Sequence, residues 1–147
     1  MNALDILKQD HQKVKGLFQE IRKDFDRGRQ KELFDKIDTE LEIHTHIEET
    51  VFYPAVDEHE EFKDMIAEAL EEHQEAKSLL DELEELGADD HDFGSKLQQL
   101  MEAVEHHVEE EEGEMFPKIQ EVFDEHELEE LGRDLEMAKG TAHRKAS

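Results

Sequence analysis

The chain has 147 residues, with 17 Lys and Arg against 43 Asp and Glu for a formal charge of −26, ten histidines and no cysteine. That charge speaks against nucleic acid and anionic membranes as partners, since both are held by basic patches. The missing thiols exclude disulfides, iron–sulfur clusters, thiolate zinc sites and cysteine nucleophiles.

The first residues carry no basic stretch followed by an apolar one, and no run approaches about 18 apolar residues, so neither a secretory signal nor a membrane span is expected. The length suits one domain, expected over residues 1–140, with a flexible tail at 141–147 and a cytoplasmic location. Charged residues make up 41% and apolar ones 35%, which drifts toward the composition of disordered chains. Periodicity decides for a folded one.

Apolar residues recur at helical spacing in four long segments. The first carries Leu4, Leu7, Val14, Phe18, Ile21 and Phe25, and Asn2 followed by Asp5 reads as its start. A turn is expected at residues 26–30, around Gly28. The second segment runs from about Lys31 with Leu33, Ile37, Leu41, Val51 and Ala55, and Pro54 should end or kink it. The third spans about residues 61–86 with Ile66, Leu70, Ala76, Leu80 and Leu83, before the loop from Gly87 to Gly94. The fourth starts near Ser95 with Leu97, Leu100 and Val104 and reaches Met115 and Phe116 before Pro117. A shorter amphipathic piece follows with Leu128, Leu131 and Leu135, and Asp124 with Glu127 has the spacing of a capping box. The expected fold is all-α: an up-down-up-down four-helix bundle with a short extra C-terminal helix.

The two halves repeat each other. DHQKVKGLFQEI, from Asp10 to Ile21, matches EHQEAKSLLDEL, from Glu72 to Leu83; HTHIEETVFYP, ending at Pro54, matches HVEEEEGEMFP, ending at Pro117. His11 aligns with His73 at an offset of 62 residues, and His44 with His107 at 63. Two copies of a helical hairpin, related by a pseudo-twofold axis, explain this.

Each apolar stripe is interrupted at one register position. His11, His44, His73 and His107 take the place of an apolar residue, and Glu48 and Glu111 follow the second and fourth by four residues, about 40° round the same helix face. Any one such histidine is best read as an ordinary hydrogen-bonded core residue. Six ionisable groups at matched register in both halves are not, because unpaired carboxylates there would each cost several kcal/mol. A cation held by those nitrogens and oxygens compensates directly, and the symmetry suits two ions. His46 and His106 fall off the stripe and are read as solvent-facing, as are His59, His91, His126 and His143; Glu109, Glu110 and Glu112 read as a solvated face. Imidazole and carboxylate without thiolate suit iron or manganese and leave zinc open. No histidine has a Glu three residues before it, which disfavours the Glu-x-x-His di-iron class.

His11, His44-x-x-x-Glu48, His73 and His107-x-x-x-Glu111, with IEETVFYPAV and EEEEGEMFPKI around the prolines, resemble the hemerythrin-like family of HHE cation-binding domains, over about residues 1–135. The resemblance implies a four-helix bundle around two non-haem irons joined by an oxo or hydroxo bridge, with the four histidines as terminal ligands and Glu48 and Glu111 bridging. Oxygen-carrying members have a further His four residues after the one at His73; here that position is Lys77, with Ala76 as its inward neighbour. About two positions on the irons then stay open, which disfavours simple oxygen carriage and favours binding and turnover of hydrogen peroxide. The likeness to short bacterial members with catalase-like activity points the same way. The alternative is a module that binds, senses or stores oxygen, nitric oxide or iron without turnover. Tyr53, the sole tyrosine, matches Phe116 in the repeat. An ideal helix places it about 180° from His44, away from the site, unless Pro54 redirects it; redirected, its phenol could fill an open iron position or bond the substrate. The oligomeric state is open, and a monomer is compatible with the pattern.

Overall fold

The structure, a computed structural model, describes residues 1–146. All regular structure among them is helical. Helix α1 covers Ala3–Lys23; Asn2 Oδ1 accepts the Asp5 N–H at 2.9 Å, which caps its start as the sequence implies. Helix α2 covers Arg27–Ile47. The turn before it is earlier and tighter than expected, because the Asp26 carboxylate caps the Arg29 N–H and so draws Gly28 into the first helical turn. Phe25 is left in the connection, 87% exposed, and is not part of the inward stripe.

A π-helical turn, Glu48–Phe52, continues α2 into the short helix α3, Tyr53–Val56. A 3₁₀ turn at Glu60–Phe62 leads into α4, Lys63–Leu86, which stops at Gly87 with φ of 76°. Helix α5, Phe93–Glu110, starts two residues before Ser95, because Phe93 packs edge-on against Phe34 at 5.5 Å. A second π turn, Glu111–Met115, leads into α6, Phe116–Val122. Both π turns end two residues before a proline. The ring of Pro54 or Pro117 would strike the carbonyl four residues earlier in an α-helix, and the wider turn relieves that clash.

The final helix, α7, covers Glu125–Ala146 and is not short. Its start is a reciprocal capping box: Glu127 N–H to Asp124 Oδ1 at 2.8 Å, and Asp124 N–H to Glu127 Oε1 at 3.1 Å. It runs through Gly140 over residues 141–146 of the expected tail, and Ser147 lies outside the described residues. An interior glycine costs about 1 kcal/mol, but Lys139 bonds Asp10 and His143 lies 3.6 Å from Glu40, so contacts on both sides hold the helix on α1 and α2.

Helices α1 and α2 pack as one hairpin and α4 and α5 as the other, with α7 laid across α1 and α2. The core forms two apolar clusters. One, built on Leu4, Leu7, Phe52, Phe62 and Phe116, includes Leu128, Leu131 and Leu135 of α7. The other, at the far end, is built on Val14, Phe18, Ile37, Leu83 and Leu100. Leu70 is 41% exposed, and Ala69 takes the inward position assigned to it from periodicity. Along α1, α2, α4 and α5 the chain passes from one cluster to the other through a histidine. No helix among the described residues is long and apolar enough to cross a membrane.

Candidate metal centre

The layer between the two clusters contains His11 from α1, His44 from α2, His73 from α4, His107 from α5, and Glu48 and Glu111 from the π turns, all six buried. Their polar atoms meet in two groups. His11, His44, Glu48 and Glu111 offer ligand atoms within 4.8 Å of one another, as do Glu48, His73 and His107. Glu48 belongs to both: its Oε1 is 3.3 Å from His44 Nε2 and 3.0 Å from His73 Nε2. Glu111 also spans them, with Oε1 3.3 Å from His11 Nε2 and Oε2 3.2 Å from His107 Nε2. Each imidazole thus turns Nε2 toward the middle.

Each imidazole also turns Nδ1 outward onto a carboxylate. The pairs are His11 with Glu112 at 2.5 Å, His44 with Asp10 at 3.1 Å, His73 with Glu49 at 2.8 Å and His107 with Glu72 at 2.7 Å. They obey the repeat, Asp10 matching Glu72 and Glu49 matching Glu112. Such a bond fixes the tautomer so that Nε2 presents a lone pair inward, and raises its basicity. Sequence reasoning missed all four carboxylates, and Glu112 is an orienting partner and not a solvated residue. The signal was present: an acid stands immediately before His11 and His73, and another immediately after Glu48 and Glu111.

Tyr53 is buried inside the site. The π turn inserts one residue, so Tyr53 stands where the eighth residue after His44 would stand, about 80° round and not 180°. Its N–H bonds Glu48 O across the widened turn. Its hydroxyl donates to Glu111 Oε2 at 2.6 Å and lies 3.4 Å from Nε2 of both His73 and His107. The phenol stacks at a tilt on His73, as Phe116 stacks on His11 in the other half. His46, His91, His106 and His126 are exposed, while His59 and His143 are half-buried; none joins the centre.

Four atoms at the middle have no hydrogen-bond partner: His11 Nε2, His44 Nε2, Glu48 Oε2 and Glu111 Oε1. Buried orphans of this kind are rare and mark a missing partner. Two imidazole nitrogens and two carboxylate oxygens converging on one volume are what a cation binds, so the donors fit a metal. Without metal, protons substitute. Burial alone would push His44 down, but the Glu48 charge and the Asp10 bond lift it to about 10. Burial likewise opposes charge on His107, and its bonds to Glu111 and Glu48 lift it to about 12. Glu48 is held well below the usual carboxylate range, burial being outweighed by His44 and its other polar neighbours. Burial, with the charges of Glu48 and Glu111, keeps the Tyr53 phenol protonated.

Beside the imidazoles lies a cavity of about 40 Å³, walled by Val14, Leu41, Ala76, Leu80 and Val104. Lys77 also lines it and donates to Glu49 Oε1 at 3.2 Å, beside His73.

The family model of the hemerythrin HHE cation-binding domain matches residues 2–119. The chain is similar to the crystal structure of an HHE cation-binding domain-containing protein from Mycobacterium kansasii, at 31% identity and a TM-score of 0.84, over 99% of this chain and 91% of that one. It is also 29% identical over 139 residues to a DNA nickase of Nostoc sp. (strain PCC 7120), covering 95% of this chain and 39% of that protein. The chain therefore spans about two fifths of the length of that curated relative. With the family match running from the second residue into α6, the chain belongs to the hemerythrin HHE cation-binding domain family, a metal-binding helical domain.

Proposed function

We propose that His11, His44, Glu48, His73, His107 and Glu111 hold two iron ions and that the protein decomposes hydrogen peroxide. The observation that carries this is the pair of donor groups sharing Glu48, beside a cavity that no fifth imidazole fills. By this measure a water needs roughly 10–15 Å³, so about 40 Å³ suits a molecule of two heavy atoms such as hydrogen peroxide. Two bound irons would supply the redox chemistry, passing two electrons and two protons from one peroxide to another to give O₂ and two waters.

The chain's own groups do the rest. The four Nδ1–carboxylate bonds aim Nε2 inward and keep the imidazoles from rotating. Tyr53 Oη holds a proton against Glu111 Oε2, next to the group formed by Glu48, His73 and His107. Apolar walls limit water around the open positions. The acidity of the chain favours small-molecule partners over nucleic acid or membrane, and the nickase activity of the Nostoc relative is that protein's own.

The test measures metal content and visible absorption of the purified protein, then oxygen release on adding peroxide. About two irons per chain and one O₂ for every two peroxides consumed are expected. An iron-loaded protein that leaves peroxide untouched sinks the proposal. Stoichiometric binding of O₂ or nitric oxide without turnover would favour the binding, sensing or storage reading.

A further inference from the structure

The pseudo-twofold is broken on one face. Over the first hairpin α7 covers a surface made apolar by Ile6, Ile43 and Ile47, and Lys139 seals Asp10. The repeat places Glu68, His106 and Glu110 at the corresponding positions of the second hairpin, and Glu114 where Val51 stands. Among the described residues no helix covers them as α7 covers the first hairpin. In place of α7 there is a crevice of about 30 Å³ lined by Glu68, Glu72, Glu110 and Glu114 with Met65, Ala69 and Met115, and the buried His107 and Glu111 belong to the same lining. Glu111 is 2% exposed and its Oε1 has no partner.

Glu72 and Glu110 of its lining meet a third donor, His106. His106 Nε2 is 2.9 Å from Glu110 Oε1 and 3.7 Å from Glu72 Oε2, and one ligand atom from each residue lies within 4.8 Å of the others. Glu72 faces both ways, since its Oε1 bonds the buried His107. We propose that His106, Glu72 and Glu110 form a holding site for an incoming divalent cation, and that the crevice is the route by which it reaches the buried centre. One imidazole and two carboxylates suit a first-row divalent ion, and three protein donors leave the remaining positions to water, as a transient site needs. The five carboxylates of this recess, in a chain of −26, concentrate cations at it. At the equivalent place on the first hairpin, isoleucines and α7 stand where this crevice lies on the second. The inference rests on the buried centre being a metal site.

The test loads metal-free protein with Fe²⁺ under anaerobic conditions. Samples are quenched into a chelator that strips loosely held iron, and retained iron is counted against time. His106→Ala and Glu110→Gln are compared with wild type and with Glu85→Gln, an exposed charge at the far end of α4. The first two are expected to load about tenfold more slowly, reaching wild-type iron content and melting temperature, while Glu85→Gln loads normally. Wild-type loading rates in His106→Ala and Glu110→Gln overturn the route and leave the buried centre standing. Reduced final iron content also overturns it, because the residues would then belong to the centre itself. A wild-type chain that retains no iron overturns the metal reading of the centre, and the route with it.

Discussion

Glu48 and Glu111 show how little separates a structural carboxylate from a functional one at the residue scale. Both share the chemistry of 41 other acidic residues; what distinguishes them is full burial with an oxygen left unpartnered. Tyr53 supplies Glu111 with its one short bond. Tyr53→Phe removes that donor with little change of shape, and a buried acceptor deprived of its partner costs about 1–3 kcal/mol. The metal-free variant should therefore melt a few degrees lower than wild type by circular dichroism. Loaded with iron, it should lose peroxide turnover by about a hundredfold if Oη moves a proton during the reaction; unchanged oxygen release would restrict Tyr53 to a packing role.

Asp38 is a second carboxylate with an altered environment, far from the centre. Burial, with the facing carboxylates of Glu84 and Glu42, lifts it to about 8. The folded chain then keeps a proton that the unfolded chain gives up above 3.8. Stability consequently falls as pH rises from about 4 to about 8. Asp38→Asn should raise the melting temperature at pH 8 and leave it unchanged near pH 4, which a pair of thermal scans decides.

At the scale of elements, the π turns and α7 carry what periodicity does not contain. An α-helical reading of the second segment turns Tyr53 outward; the single residue added by each π turn rotates Tyr53 and Phe116 onto the imidazoles. The reason lies in the prolines, but their effect on a helix end is a choice among stopping, kinking and widening, which local propensity does not rank. Helix α7 reads as short from three leucines because its last turns are held by polar contacts, from Lys139 to Asp10 and from His143 to α2. Its approach to the N-terminus is close at Gly132, where an added Cβ would lie 2.5 Å from Met1 O and 3.0 Å from Asn2 C. Backbone cannot swing aside as a flexible side chain would. Gly132→Ala, despite a gain of up to about 1 kcal/mol in helix propensity, should lower stability by about 1–3 kcal/mol through overpacking. An increase in the denaturation midpoint would show that α7 shifts freely.

At the scale of the whole molecule, metal and protons compete for one buried cluster. A metal that binds only the folded bundle stabilises it by about 2.7 kcal/mol at a hundred times its dissociation constant. Chelation should then lower the melting temperature by roughly 5–10 °C. In the metal-free form the raised His44 contributes stability that is complete below about 6.5 and lost as pH rises toward about 10. Glu48, depressed, contributes stability present above about 4.5 and lost as pH falls. A ligating imidazole is neutral, so the gap between loaded and metal-free melting temperatures should widen from pH 6.5 to 10. A gap that stays constant across that range would show that His44 carries no proton in the metal-free fold.

The helical class, the twofold repeat and the six inward ionisable residues were legible in the chain before any fold was known. Each follows from spacing along a regular helix, and spacing is a one-dimensional property. Asp10, Glu49, Glu72 and Glu112 lie next to those six in the chain, yet their role depends on which imidazole each meets across the bundle: Glu112 meets His11 and Glu49 meets His73, 101 and 24 residues away. Those pairings, the inward turn of Tyr53 and the helix that covers one hairpin while leaving the other open emerge when the helices pack. Packing between helices sets them, through contacts that no single helix period encodes.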